Sequence, residues 1–277
     1  IIHEFCQRDG IEMTYSIEPF VSDSLHDEIR NMKGHTLFHT NEWHRVLNRC
    51  FGWTVEALLD RNDDGQIDWF LPFVRKRRMG RQICVCLPLS YSVGPLWRDD
   101  ERLQEAAALD HLFPIEIRAP VAGLTQSSNY YATALDLASH DNIDDVFDAV
   151  HASTKRNVRK SLRSDLKAVE ATDASQYDAF GELQLETRQR QGSPTFPADF
   201  FRTIGEEFQG SGASRLQMIY LDDRPVAGVL FLRHGDVAWY GYGASLNDKD
   251  VLRLGANQLA MWSGIAAAFH DGCKTVD

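Results

Sequence analysis

Alternation of apolar and polar positions organises the chain from its start. Met13, Tyr15 and Ile17 alternate with polar neighbours, which predicts a strand. Two helical stretches follow, Ser24–Met32 and Asn41–Cys50, the second capped by Thr40. Thr54–Asp60 and Ile67–Arg75 are apolar and β-rich and flank the turn Asp63-Asp64-Gly65, so they predict a hairpin. Gln82–Leu89 continues the sheet after the break at Met79-Gly80. A helix at Asp99–Leu112, a strand at Ile115–Arg118 and one further strand at Tyr130–Leu137 complete this half.

The second half repeats the order. A strand at Lys167–Ala171 precedes helices at Ser175–Arg190 and Ala198–Phe208, with Pro197 near the start of the latter. Leu216–Leu221 and Val226–Arg233 flank the turn Asp222-Asp223-Arg224-Pro225, and His234-Gly235-Asp236 turns into Val237–Tyr242. A long helix, roughly Gly255–His270, leads to a strand at Cys273–Asp277. Both halves read strand, two helices, three strands, helix, strand. Errors in single elements would not line up in this way. The expectation is an α/β protein with mixed α+β sheets in two tandem domains, 1–150 and 151–277, joined by the polar stretch around His151–Lys155.

Composition narrows the class. The chain has 277 residues, 43% hydrophobic and 25% charged, as in folded globular domains. Its formal charge of −11 argues against a general nucleic-acid binder, although a local basic groove remains compatible with it. Five scattered cysteines make a poor disulfide framework and fit a reducing compartment. Cys84 and Cys86, two apart in an apolar run, read as core. No apolar run reaches membrane-spanning length, so the expected location is cytoplasmic. The first residue is not Met and the last strand-like run stops at Asp277, so both ends read as trimmed.

Several segments carry a resemblance. They are Pro88-Leu89-Ser90-Tyr91-Ser92-Val93-Gly94-Pro95-Leu96, Ser153-Thr154-Lys155-Arg156-Asn157-Val158-Arg159-Lys160, and Thr187-Arg188-Gln189-Arg190-Gln191-Gly192-Ser193-Pro194. Pro225-Val226-Ala227-Gly228, Tyr240-Gly241-Tyr242-Gly243-Ala244-Ser245 and Gly272-Cys273-Lys274-Thr275-Val276-Asp277 follow in order. From about Thr40 onward the chain resembles the FemAB family, and the doubled strand–helix order is similar to a GNAT domain repeated. The variant looks closer to FemAB-related proteins of exopolysaccharide or protein-sorting loci than to peptidoglycan-bridge enzymes. In that family the closing Asp is followed by a Phe-Gly-Arg-like segment and a Lys near the donor, which this sequence does not include.

The resemblance implies transfer of an acyl group to an amine without a covalent enzyme intermediate. The implied co-substrate is acyl-CoA, with aminoacyl-tRNA as the alternative donor. The implied acceptor is a small-molecule, lipid-linked or nucleotide-linked glycan precursor of the cell envelope or an exopolysaccharide. DNA is not an expected partner, and no metal or bound cofactor is expected. A rival reading keeps the duplicated scaffold as a non-catalytic binding module, since fold alone does not settle function.

The chemistry needs a deprotonated amine, a polarised carbonyl, an acid for the leaving group, and cations for a phosphate-bearing substrate. Lys155, Arg156, Arg159, Lys160 and Arg163 read as a phosphate clamp or as a solvated helix face. The run Arg75-Lys76-Arg77-Arg78 with Arg81 reads as solvated. Arg188, Arg190 and Gln191 close a helix before Gly192, either to recognise an acceptor carboxylate or phosphate or to complement the helix dipole. Tyr240 and Tyr242, expected on one face of a strand, are candidate proton donors or simple sheet packing. Arg253 and Asn257 flank a helix start that could hold a pyrophosphate. Ser90 and Tyr91, with Ser92, line an acceptor cleft or make a turn. His35, His39 and His44 lack a matched carboxylate for a metal site. The sequence carries no nucleophile elbow, Walker loop or dinucleotide fingerprint.

Overall fold

A computed structural model describes residues 2–8, 11–20, 23–78, 80–91, 93–99, 115–119, 133–208 and 210–277. The chain divides into two compact units, Ile1–Tyr130 and Tyr131–Asp277.

The first unit holds β1 (Ile2–Arg8), β2 (Ile11–Pro19), α1 (Asp23–Ile29), a 3-10 turn at Leu37–His39 and α2 (Asn41–Phe51). Then come β3 (Val55–Arg61), β4 (Ile67–Arg78), β5 (Arg81–Val85), β6 (Leu96–Trp97) and β7 (Ile115–Glu116). The sheet order is β1-β2-β3-β4-β5-β7, with β6 also on β4. All pairs are antiparallel except β5 with β7. As expected, Thr40 caps α2, its hydroxyl accepting from the Trp43 N–H, and Gly52 ends the helix in the left-handed region. The expected strand Gln82–Leu89 stops at Val85. Leu87 and Leu89 take positive φ around Pro88, which a continuing strand does not allow. β1 was not expected from the pattern. Positions 100–112 of the expected helix, positions 130–132 of the expected strand, and Ser92 lie outside the described residues.

The second unit holds β8 (Leu135–Asp136), α3 (Ile143–Ala149), α4 (Ala152–Ser161), β9 (Lys167–Glu170), α5 (Ala174–Gln191) and α6 (Phe200–Glu207). It continues through β10 (Ser214–Leu221), β11 (Arg224–His234), β12 (Val237–Ser245), α7 (Lys249–Leu254), α8 (Ala256–His270) and β13 (Thr275–Val276). The sheet order is β8-β13-β12-β11-β10-β9. Three antiparallel pairs run from β9 to β12, and β12 pairs β13 in parallel. From β2 the first sheet runs through the same sequence of pairings, so the repeated element order becomes a repeated topology. The stretch His151–Lys155, expected as a linker, opens α4 inside this unit. The unit begins earlier because β8 pairs antiparallel with β13.

Local chemistry explains these elements. Asp173 caps α5 through the N–H groups of Ser175 and Gln176, and Gly192 ends it. Asp222 and Asp223 both take positive φ in the two-residue turn between β10 and β11, as a tight hairpin requires. Helices cover both faces of the sheet. On one face, a Cβ on Gly228 would come within 2.8 Å of Met218 Sδ and of the Phe180 ring of α5. On the other, a Cβ on Gly264 of α8 would overlap the buried ring of Phe231. Glycine is needed at both contacts for the helix and sheet to close.

Candidate active site

The basic helix is the best-defined feature. His151 caps α4, its Nδ1 accepting from the Ser153 N–H at 3.3 Å. Val158 and Ser161 are buried, so the helix docks by that edge and turns its cations outward. Lys155, Arg156, Arg159, Lys160 and Arg163, with Leu254 at the end of α7, line an open groove of about 820 Å³. No carboxylate is among the lining residues. Lys160 Nζ donates to the Arg253 carbonyl at 2.5 Å, which satisfies the C-terminal end of α7. Lys155 Nζ donates to the Asp148 carbonyl at 2.9 Å. Arg159 stacks on the Phe147 ring at 5.3 Å. Arg156 and Arg163 have no acidic partner among the described residues.

The groove abuts the start of α8. Gly255 is both the C-cap of α7 and the N-cap of α8, with φ of 83°. A Cβ there would sit 3.3 Å from the Asn157 carbonyl, so α4 packs directly over this turn. Asn157 and Ser161 thus occupy part of the space in front of the α8 N-terminus, where free N–H groups were expected to point outward. Asn257 remains exposed beside it and, with Gln258, Met261 and Trp262, borders a smaller cleft of about 240 Å³ against Phe147 and Val158.

The two candidate tyrosines do not share a face. The β11–β12 register shifts between Leu230, opposite Tyr242, and Phe231, opposite Tyr240. Gly241 is therefore the extra residue of a β-bulge, and the period-2 rule fails across it. Tyr242 points towards α6, within 5.2–5.7 Å of the rings of Phe196, Phe200 and Phe201. Tyr240 lies on the α8 face, 6.0 Å from Phe231, with its ring laid along the strand over Gly243. Burial pushes its phenol above the usual value, so it carries its proton at neutral pH. Its backbone N–H donates to the Asp277 carbonyl at 2.8 Å.

The end of α5 meets the end of β12. Thr187 Oγ1 donates to the Ser245 carbonyl at 3.2 Å, and Arg190 Nη1 reaches the same carbonyl at 3.5 Å. Arg188 stacks on Phe196 at 4.2 Å, and its Nε donates to the Pro194 carbonyl at 2.5 Å. Gln191 is exposed at the last helical position. Arg188 and Arg190 thus organise the loop that follows Gly192 and the rim beside Tyr242. In the first unit, the Ser90 hydroxyl donates to the Leu87 carbonyl and closes a turn, while Tyr91 is exposed, 6.1 Å from Phe38. His39 and His44 are buried, and no group of three potential metal-binding side chains occurs among the described residues.

The sequence candidates therefore form two groups in the second unit. The α4 cations, Arg253 and Asn257 meet around the α7–α8 turn. Arg188, Arg190 and Tyr242 gather on the opposite face of the sheet, and Tyr240 stands on the α8 face. The cleft residues Phe147, Met261 and Trp262 were not singled out from the sequence. Their one signal was aromatic and apolar side chains at helical spacing, which usually means core.

Residues 151–277 match the model of an acetyltransferase (GNAT) domain. None of the curated proteins matches the chain. Among solved structures, FemX aligns over 95% of this chain and 88% of its own, at 15% identity and a TM-score of 0.66. L-PGS from Bacillus licheniformis aligns over 94% and 76%, at 9% identity and a TM-score of 0.50. A conserved protein of unknown function from Bacteroides thetaiotaomicron VPI-5482 aligns over 92% and 85%, at 9% identity and a TM-score of 0.50. At these identities the likeness to solved structures is one of fold. The matched domain and the doubled sheet define the class: a tandem GNAT-fold protein. The GNAT domain at residues 151–277 is of the acyltransferase class, and the chain as a whole shares its fold with FemX.

Proposed function

We propose that this acyltransferase moves an acyl group from acyl-CoA to an amine of a cell-envelope or exopolysaccharide precursor in the cytoplasm. The observation that carries the reading is the α4 groove: five cations, no lining carboxylate, and Arg156 and Arg163 without acidic partners among the described residues of a chain with formal charge −11. Guanidinium groups left in that state suit a phosphate-bearing substrate, because they form paired, charge-assisted hydrogen bonds. In the reaction, the amine lone pair attacks the thioester carbonyl, the C–N bond forms, and the C–S bond breaks. Tyr240, protonated at neutral pH, supplies a proton to the departing thiolate, and the proton released from the attacking nitrogen restores the phenol. Arg188, Arg190 and Gln191 lie beside Tyr242 on the other face of the sheet from Tyr240, so in this reading they brace the loop after Gly192 rather than touch the transferring atoms. Arg253 and Asn257 border the phosphate site.

Aminoacyl-tRNA is the alternative donor. Overall charge disfavours it, since phosphate neutralisation dominates tRNA affinity. The test titrates the protein with acetyl-CoA and with aminoacyl-tRNA, and measures the KM for donor and acceptor in Arg156→Ala beside its melting temperature. A lost phosphate contact removes about 1.5–3 kcal/mol, or about ten- to a hundredfold in affinity. Unchanged KM removes α4 from the site, and salt-sensitive binding of tRNA alone reverses the order of donors.

A further inference from the structure

We infer that the second unit carries a binding site for an anionic membrane lipid, formed by the cleft between α3, α4 and α8 and the cations on its rim. The cleft takes one acyl chain, and the α4 cations take the phosphate headgroup. Its walls are mostly apolar: Val150 and Phe147 from the α3 side, Val158 from α4, and Met261, Trp262 and Ile265 from α8, with Thr154, Asn257 and Gln258 as the polar remainder. Phe147 and Trp262 meet edge to face at 4.8 Å, so the two aromatic walls hold each other in place. The volume, about 240 Å³, suits a narrow chain rather than a bulky ring system.

The rim connects this cleft to charge. Arg159 lies over the outer face of Phe147 at 5.3 Å, and Lys155, anchored on the Asp148 carbonyl, stands one turn before it. Arg159 and Lys155 also line the basic groove, so apolar cleft and cationic groove share one wall. A ligand that fits both must be apolar at one end and anionic at the other. Two leucines beside these cations extend the apolar surface into solvent: Leu162, 61% exposed after the last turn of α4, and Leu252 of α7, 45% exposed and next to Arg253. Exposed leucines set among lysines and arginines are the arrangement by which helices lie in the headgroup region of an anionic bilayer. No described helix is long and apolar enough to cross a membrane, and the contact inferred here is with the bilayer surface. The whole chain has a formal charge of −11, and at physiological salt the attraction acts only within about a Debye length of these cations.

The α4 cations belong to both readings, but the apolar walls take no part in the transfer chemistry proposed above, so quenching at Trp262 and the leucine variants test this inference alone. The experiment mixes the whole chain with vesicles of phosphatidylcholine, with and without phosphatidylglycerol, and follows sedimentation and quenching of tryptophan by lipids brominated on the acyl chain. The expected result is sedimentation only with phosphatidylglycerol and brominated-chain quenching that disappears in Trp262→Phe. Leu162→Asp and Leu252→Asp, both at exposed positions, should weaken sedimentation at least tenfold while acyl transfer to a soluble acceptor persists. Equal binding to pure phosphatidylcholine overturns the inference. So does full displacement by inorganic phosphate, which would reduce the face to a phosphate site. Sedimentation without quenching at Trp262, with Trp262 also shielded from acrylamide, shows that protein covers the cleft, and overturns it as well.

Discussion

Gly243→Ala tests the role of Tyr240 without touching its hydroxyl. Gly243 lies on β12 two residues beyond the bulge, and Tyr240 rests its ring on the space a side chain would need. A Cβ at 243 would overlap Tyr240 Oη and come within 3.0 Å of Cζ. Gly243 is not among the residues with positive φ, so alanine meets no backbone penalty there. The tyrosine must yield, and at 39% exposure its ring has room to swing outward. An off-rotamer ring costs about 0.5–1.5 kcal/mol. Alanine in a strand regains about 0.5–1 kcal/mol over glycine. The two nearly cancel, so the melting temperature should change by only a few degrees. Turnover should not be so protected. General acid catalysis contributes roughly 10²–10⁴-fold, and a displaced hydroxyl forfeits most of it. The assay compares kcat and KM for Gly243→Ala, Tyr240→Phe and the double variant with a soluble acceptor. Both single variants should lose kcat by about a hundredfold or more with little change in donor KM. The double variant should be no worse than either, since both remove one proton donor. Full turnover in both single variants, or losses that multiply in the double variant, refutes Tyr240 as the acid.

Gly264→Ala should behave in the opposite way, because its Cβ would overlap Phe231 in the packed interface between α8 and the sheet. Overpacking of this kind costs about 1–3 kcal/mol, read as a lower urea midpoint of the second unit. The first unit should lose stability in acid. Burial lowers His26 to about 4 and holds His44 well below its ordinary 6.5, reinforced for His44 by His26 and His39. Between those values the unfolded chain binds protons that the folded state refuses, so stability is full above about pH 6.5 and falls as the pH drops. His44→Phe should flatten the dependence of the urea midpoint on pH between 7 and 4.5, and an unchanged slope would exclude His44 as its source. Arg156→Ala should melt normally while donor or acceptor KM rises, as expected for an exposed side chain without an acidic partner among the described residues.

The parts of this protein that were legible along the chain are those set by local rules. α5 announces itself through Asp173, Gln176 and Gly192, and the β10–β11 hairpin through its paired aspartates. The repeated order of elements revealed two sheets of like topology, because apolar periodicity records which face of each element must be buried. Short elements escaped notice. α3 and α7 span seven and six residues, too few for periodicity to show, and rest on the Asn142 and Asp248 caps. The roles of single side chains were least accessible. Tyr240 and Tyr242 share a face by spacing alone, but a bulge arises from the register between two strands, and only the pairing of β12 with β11 turns them apart. The charges on α4 were plain from the start. That Lys160 grips α7, Arg188 braces a loop, and Arg156 is left without an acidic partner among the described residues depended on elements up to ninety-three positions distant. The sequence by itself determined the elements and their order, since these follow from neighbours along the chain. Tertiary structure decided which face each tyrosine takes and which cations stay available, because those depend on partners that only packing brings near.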